Sequence, residues 1–250
     1  MGLVETEGLV LRTYNLSDAD KIAVFLTLDE GLIRGVAKGA KRLKSRFSGS
    51  LEQFSIVNLT FFQKEDRELV SIRDIELAKS YFKDAGNIEF LKEFSYLAEL
   101  LMNFAPPHDP NERLYNMSKV CLQTVSAIPE SLLNIVTYFE IWILRLGGYL
   151  PVWDTCNFCK KEFNYDEFSY LQNDFQISCL HCRKVKSQLE ITPQQRLIFL
   201  KAQRQSPERF YEFSKDMSED IANISALLKK IISQTLGKDI TNQKILAIGK

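Results

Sequence analysis

Short runs of alternating apolar and polar residues dominate the first 80 residues of the chain. The five runs occupy residues 9–13, 21–28, 32–37, 51–62 and 69–75. Turn residues separate them, as in Asn15-Leu16-Ser17-Asp18 and Asp29-Glu30-Gly31, which is the pattern of β-strands joined by tight turns. Five strands in about 75 residues predict a small closed or nearly closed β-barrel.

After residue 80 the apolar spacing changes to three and four residues, which is the spacing of one helix face. Helices are predicted at residues 88–104, before Pro106-Pro107, and at 112–127 and 131–146, before Gly147-Gly148. Thr192-Pro193 and Ser206-Pro207 each combine an N-cap residue with proline at the first helical position, and a last helix is predicted at 218–236 before Gly237. The chain is therefore predicted to be an α+β protein, with a β-barrel domain at residues 1–80 and a helical domain at residues 81–250.

Two cysteine pairs interrupt the helical domain between residues 154 and 184. Cys156 and Cys159 form the first pair and Cys179 and Cys182 the second, with nineteen residues between the pairs. Two such knuckles supply the four thiolates of a tetrahedral zinc site, and a site with four protein ligands leaves no position for a substrate. We therefore expect one structural zinc ion per chain. A redox pair or unpaired thiols are the alternatives.

Two other metal or thiol candidates have simpler explanations. His181 lies within the second knuckle and could replace a cysteine ligand, but a solvent-facing or supporting side chain is the interpretation we favour. Cys121 lies on an apolar helix, where a small core residue is expected more often than a reactive thiol.

A basic segment begins within the third predicted strand and continues into the connection to the fourth. It contains six cations within thirteen residues and no acid between Glu30 and Glu52; the cations are Arg34, Lys38, Lys41, Arg42, Lys44 and Arg46. Residues 38–50 are rich in glycine and serine, which predicts a mobile loop on the rim of the barrel. Such a loop can follow a phosphate backbone, although a run of charges is also common on ordinary solvated surface.

Phe47 lies within this basic loop, where it either stacks on a nucleic-acid base or docks on the barrel. Phe25, Phe54, Phe61 and Phe62 could extend a stacking platform, but their positions in strands favour the core for most of them. The segment as a whole predicts a nucleic-acid-binding surface on the barrel, with Phe47 included.

The composition limits the possible classes of function. The chain of 250 residues has 32 basic and 32 acidic residues and is 45% hydrophobic, which excludes a disordered tail and a uniformly basic coat. No signal-peptide pattern or membrane span is apparent, so a soluble, cytoplasmic protein is expected. Phosphate-binding, dinucleotide-binding, serine-hydrolase and zinc-protease motifs are lacking and there are only two histidines, so we expect no catalytic residues and no enzyme activity.

The order of several motifs resembles the RecO family of bacterial recombination mediators. The resemblance rests on the segment from Lys38 to Phe54, KGAKRLKSRFSGSLEQF, which is similar to the family's basic loop and following strand. It is supported by residues 5–13, by Asp18-Ala19-Asp20-Lys21, and by the segment LRLGGYLP at residues 144–151 ahead of the cysteine pairs. Gln53 stands where proline is usual, Lys160 where glycine commonly follows the second cysteine, and residues 175–178 replace a glycine-rich approach to the second knuckle.

This resemblance implies an N-terminal OB-fold, a helical C-terminal domain and a zinc site that some members lack. It implies a non-enzymatic role in DNA repair, in which the protein binds single- and double-stranded DNA, anneals complementary strands and helps to load the RecA recombinase. The implied partners are RecR and the acidic C-terminal tail of single-stranded-DNA-binding protein, and the implied location is the bacterial cytoplasm at the nucleoid. An OB-fold RNA-binding protein with a structural zinc, or a metal-dependent nuclease, are the alternatives.

Overall fold

The computed structural model describes residues 2–63, 68–81, 87–185 and 188–240. Contacts divide the chain into two compact units, with the division between Ser126 and Ala127. The sequence predicted a domain boundary at residue 80 from the change of secondary-structure type, and that boundary stays a prediction. The packing groups the first two helices with the barrel.

The first unit is built on a closed five-stranded barrel. Its strands are β1 (Gly2–Asn15), β2 (Lys21–Thr27), β3 (Leu32–Ala37), β4 (Ser55–Gln63) and β5 (Leu69–Ser80). They are connected in the order β1-β2-β3-β5-β4, with β4 paired to β1. Only the β3–β5 pair is parallel within the described residues. All five predicted strands are present, as expected for the predicted α+β fold with an OB-type barrel.

The strand boundaries differ from the sequence prediction at three places. The first and fifth strands are longer than predicted, since β1 begins at Gly2 and β5 continues to Ser80. The fourth strand begins at Ser55 and not at Leu51, because the preceding residues form turns and Phe54 has a φ of 65°. A left-handed residue of this kind interrupts a strand.

The barrel interior is filled by alternate residues of the strands, because successive side chains of a strand point to opposite faces. Val10, Phe25, Ile33, Phe61 and Ile72 belong to one buried cluster. Gly35 on β3 has to be glycine, since a Cβ there would lie 2.6 Å from the side chain of Ile72. Polar and half-buried residues alternate with this set and form the outer face of the barrel.

Two helices cover one end of the barrel. Helix α1 (Ile88–Phe104) is capped by the Asn87 side chain, and α2 (Glu112–Ala127) follows after the two prolines. Their connection docks on the start of β3, where Leu32 N donates to the Pro106 carbonyl (3.4 Å) and His108 N donates to the Leu32 carbonyl (3.3 Å). The start of β3 thus contacts the connection between the two helices. The end of β3 leads into the basic loop.

The second unit is helical, with helices α3 (Leu132–Leu146), α4 (Pro193–Ala202), α5 (Pro207–Ser214) and α6 (Ser218–Leu236). The predicted caps are confirmed: Thr192 and Gln195 form a capping box, Ser206 caps α5, and Gly237 ends α6 with a φ of 64°. Most of α3 is buried, as its sequence predicted.

Side chains of α3 also bind the end of α4. Trp142 Nε1 donates to the Ala202 carbonyl (2.8 Å) and Arg145 Nη1 to the Gln203 carbonyl (2.6 Å). Carbonyls at a helix end have no partner within the helix. These bonds therefore join α3 to α4, the two helices that flank the cysteine pairs in the chain.

Between α3 and α4 lies a small element that carries the cysteine pairs. Its sheet has the order β7-β6-β8, formed by β6 (Ser169–Leu171), β7 (Ile177–Ser178) and β8 (Glu190–Ile191). The buried Trp153 ring stacks on Phe199 of α4 with a centroid distance of 4.1 Å. The element is thereby packed against the helices of its own unit.

Candidate functional site

The four cysteines of the two knuckles come together in space. Their Sγ atoms all lie within 4.8 Å of one another, and Cys159 Sγ and Cys179 Sγ are 3.8 Å apart. A tetrahedron with ligands at about 2.3 Å from its centre has edges of about 3.8 Å. The sulfur arrangement therefore has the size of a tetrahedral metal site.

Both knuckles are tight turns. In each of them the carbonyl of the first cysteine accepts a hydrogen bond from a backbone N–H three or four residues later. Lys160 N donates to the Cys156 carbonyl (2.9 Å) and Cys182 N to the Cys179 carbonyl (3.1 Å). Lys160 has a φ of 61° and Phe175 a φ of 62°, in the left-handed region that favours glycine. Lys160 and Phe175 are thus the two described residues of the cysteine element whose backbone conformation favours glycine.

The electrostatics of the cluster favour a bound cation. Burial raises the pKa of the Cys156 thiol, but backbone N–H groups of Cys159, Cys179 and Phe158 outweigh it and lower that pKa to about 6. At Cys182, burial and the neighbouring thiols raise the pKa to about 12. Four thiolates at this spacing repel one another unless a divalent cation lies between them. The four cysteines could thus hold a metal ion.

The other metal and thiol predictions have clear outcomes. His181 is exposed and is not among the residues of the four-sulfur cluster. Cys121 is fully buried on α2, where burial raises the pKa of its thiol, and it packs against Met117. Cys121 is therefore a small core residue.

Arg196 of α4 holds the cysteine element from the helix side. Its side chain is 4% exposed, and Nη1 and Nη2 each donate a 2.5 Å hydrogen bond, to the carbonyls of Glu167 and Asn164 respectively. The guanidinium also lies 4.7 Å from the centroid of the Phe163 ring. No local signal in the sequence distinguishes Arg196 from the exposed cations of the chain.

Replacing Arg196 by alanine is expected to lower the free energy of unfolding of the second unit by about 3 kcal/mol, because two carbonyls lose a charged donor in a buried place. Both tryptophans of the chain, Trp142 and Trp153, lie in this unit, so urea unfolding followed by tryptophan fluorescence measures it. Arg204→Ala, which removes an exposed cation nearby, is the control and is expected to change stability by less than about 0.5 kcal/mol. Equal effects of the two variants would contradict the assigned role.

The basic loop, residues 38–50, lies at the end of β3 opposite the helices. All six predicted DNA-binding cations are exposed. Within the described residues none of them forms an ion pair with an acidic side chain. The six are Arg34 on β3 and, in the loop, Lys38, Lys41, Arg42, Lys44 and Arg46. Unpaired cations on one rim concentrate positive potential there. This rim is the candidate surface for a polyanion.

The basic loop has a defined hydrogen-bonding pattern, and its mobility stays a prediction. It is a run of turns in which Arg42 N, Ser45 N and Ser48 N each donate to the carbonyl three residues earlier. Asp20 accepts from Gly39 N (2.8 Å), and Lys41 N donates to the Ala19 carbonyl (3.0 Å). Asp20 therefore positions the start of the loop, a role that no local sequence signal indicates, because its partner Gly39 is nineteen positions away.

The interpretation of Phe47 as a base-stacking residue needs correction. The ring is 2% exposed and belongs to the buried cluster of the barrel, together with Leu51. Of the two alternatives, Phe47 therefore docks on the barrel. Arg46 lies 4.8 Å from the Phe47 ring centroid, so the phenylalanine supports a cation and anchors the loop from below.

The other four phenylalanines that could extend a stacking platform differ in their burial. Phe25 and Phe61 are buried in their strands, as predicted, and Phe54 is buried in the turn just before β4. Phe62 is half-buried and faces outward, next to the guanidinium of Arg73 at 5.9 Å. It is the one ring of this set that a ligand on the barrel's outer face could reach.

Comparisons with known proteins agree with this architecture. Residues 1–81 match the family described as Recombination protein O N terminal, and residues 94–244 match Recombination protein O C terminal. The DNA repair protein RecO of Koribacter versatilis is 29% identical over 196 residues, which are 78% of this chain and 79% of that protein.

Other relatives carry the same name. The DNA repair protein RecO of Caldanaerobacter subterraneus is 31% identical over 169 residues, or 68% of each chain, and that of Syntrophus aciditrophicus is 30% identical over 179 residues, or 72% of this chain and 68% of the other. The two family matches cover most of the sequence and correspond to its barrel and helical parts. The chain belongs to the RecO family of DNA repair and recombination proteins.

Proposed function

We propose that this protein is a recombination mediator that binds single- and double-stranded DNA, anneals complementary strands and helps to load RecA onto single strands. The observation that carries the proposal is the group of six exposed cations that extends from Arg34 on β3 to Arg46 in the basic loop. Each phosphate contact made by such a cation releases condensed counterions, so the affinity does not depend on base sequence.

Annealing follows from the same surface. Cations along one loop offset the repulsion between two phosphate backbones, and contacts that ignore sequence let the strands slide into register. The loop is anchored by Phe47 and Asp20, so its cations stay on one side of the barrel. A surface of this kind binds two strands without chemistry, and the protein acts as a mediator and not as an enzyme.

The protein partners proposed are RecR and the acidic C-terminal tail of single-stranded-DNA-binding protein. Contacts with these proteins would direct the protein to single strands that are already coated. The basic loop alone cannot distinguish coated strands from other DNA. A protein acting on chromosomal strands in this way works in the bacterial cytoplasm, at the nucleoid. In the described residues, none of the helices has the combination of length and apolar character required to cross a bilayer.

We assign one structural zinc ion per chain to Cys156, Cys159, Cys179 and Cys182. Their spacing matches four-sulfur coordination, and four protein ligands leave no open position for water. The ion would hold together an element that has only short strands and would take no part in DNA chemistry.

A strand-annealing assay tests the proposal. Fluorescently labelled complementary oligonucleotides, bare or coated with single-stranded-DNA-binding protein, are expected to pair faster in the presence of the protein. Matched DNA and RNA oligomers separate this function from RNA binding, and labelled DNA with Mg²⁺ or Mn²⁺ tests for a nuclease. Annealing no faster than the protein-free rate, a preference for RNA, or cleaved strands would each overturn the proposal.

A further inference from the structure

A row of partly exposed side chains crosses the outside of the barrel. Strand register places them side by side, since Phe62 pairs with Ser71, Ser71 with Val36, Val36 with Ile22, and Ile22 with Tyr14. Directly paired residues share one face of a sheet. The neighbours of the row along the strands, such as Phe61, Ile72 and Ala23, are in the core, so the row itself faces outward.

Four of the five side chains in this row are apolar, although they lie on the outer face. Tyr14 is 46% exposed, and Ile22, Val36 and Phe62 are half-buried. An outward face of a barrel strand needs no apolar residues for folding. Adjacent apolar side chains across the strands therefore form a surface with affinity for a flat, weakly polar ligand.

A groove deepens this surface where β3 and β5 meet. Its volume is about 600 Å³, within the range of small-ligand sites, and its lining includes Val36, Lys38, Phe62, Glu68, Leu69 and Arg73. The floor is apolar and the rim carries two cations and one carboxylate. A nucleotide combines a flat, weakly polar base with an anionic phosphate. The apolar floor suits the base, and the cations of the rim suit the phosphate.

Three cations lie near the apolar floor: Lys38 and Arg73 line the groove, and Arg34 lies on the same face of β3 as Val36. Arg34 and Lys38 precede and follow Val36 by two residues, and both are exposed. The Arg73 guanidinium lies 5.9 Å from the centroid of the Phe62 ring. Lys38 is also the first residue of the basic loop, so the groove continues the surface already proposed to bind the DNA backbone.

We propose that this outer face is a subsite for unpaired bases, in which a base stacks on Phe62 while Arg34, Lys38 and Arg73 bind the flanking phosphates. The inference rests on the proposed DNA-binding function and adds selectivity to it. In a duplex the base faces are covered by their neighbours, so only a single strand can use the groove. A strand that pairs leaves the subsite and is then held by the basic loop alone, which favours release of the annealed product.

The test compares Phe62→Ala with wild type on three ligands: a single strand, an abasic strand of the same length, and a duplex. Stacking contributes about 1–3 kcal/mol per base, so Phe62→Ala is expected to weaken single-strand binding at least about fivefold and to leave abasic-strand and duplex binding unchanged. Phe62→Leu, which keeps apolar contact but lacks the ring, is expected to lose most of the same affinity. Tyr165→Ala removes an exposed aromatic ring of the second unit, outside the barrel and the basic loop, and serves as the control.

A covalent readout makes the result independent of affinity. Ultraviolet irradiation of the complex with oligothymidylate is expected to attach the strand to the peptide containing Phe62. Equal weakening of all three ligands, or attachment only at other residues, would overturn the subsite. A different result would refute the proposed DNA-binding function itself. That result is unchanged binding of both single strands and duplexes after the cations of the basic loop are neutralised.

Discussion

Replacing Cys156 by serine is expected to abolish zinc retention and to lower the free energy of unfolding of the second unit by at least about 4 kcal/mol, since loss of a structural metal is among the few changes of that size. Cys156 is buried among the four sulfurs, and Cys179 N donates to its Sγ at 3.4 Å. A serine hydroxyl does not ionise near neutral pH, so three thiolates would remain around a cation that needs four.

Elemental analysis and thermal unfolding followed by tryptophan fluorescence measure the two effects. A shift of at least about 10 °C in Tm corresponds to the expected loss of stability in a unit of this size. Cys121→Ala is the matched control, because Cys121 belongs to the first unit and is not one of the four clustered cysteines, and it is expected to keep one zinc ion per chain. A chelator should destabilise wild type and leave Cys156→Ser unchanged. Wild-type protein purified without chelators and found free of zinc would refute the assignment.

Neutralising Lys41, Arg42 and Lys44 together is expected to weaken DNA binding about a hundredfold at 0.1 M salt. If all six cations contact phosphates of a single strand, the logarithm of the affinity should fall with the logarithm of the salt concentration with a slope of about −4. Three contacts account for about 2 of that slope. The triple change should slow strand annealing as well, since both use the same cations.

The measurement is a salt titration of single-strand affinity for wild type and the glutamine triple variant. A second triple variant at Lys92, Arg113 and Lys230, all exposed outside the basic loop, changes the net charge equally and is expected to keep the wild-type slope. Identical slopes for wild type and the loop variant would place the DNA on another surface. A reduced slope in both triple variants would show a general charge effect without a defined site.

Local signals in the sequence predicted much of the fold. The change of apolar spacing near residue 80 marked the transition from strands to helices, and Thr192, Ser206 and Gly237 marked helix ends that the structure confirms. These signals work because capping and turn formation involve residues within a few positions of one another. The cysteine spacing likewise predicted a four-sulfur cluster before any contact was known.

Contacts between distant residues were harder to predict. Asp20 and Gly39 are nineteen positions apart, and Arg196 binds carbonyls about thirty positions earlier in the chain. A cation on a helix has the same local sequence whether it is solvated or buried under a loop. Only the packing of α4 against the cysteine element distinguishes Arg196 from Arg204.

The sequence by itself determined the types of the elements, most of their ends, the four cysteines of the sulfur cluster and the stretch of chain that carries the cations. The tertiary structure decided which aromatic ring faces where: Phe47 enters the core from the loop, and Phe61 and Phe62 lie on opposite faces of the barrel wall. The physical reason is that periodicity and capping depend on near neighbours, whereas burial depends on closure of the barrel and on register between strands far apart in the chain.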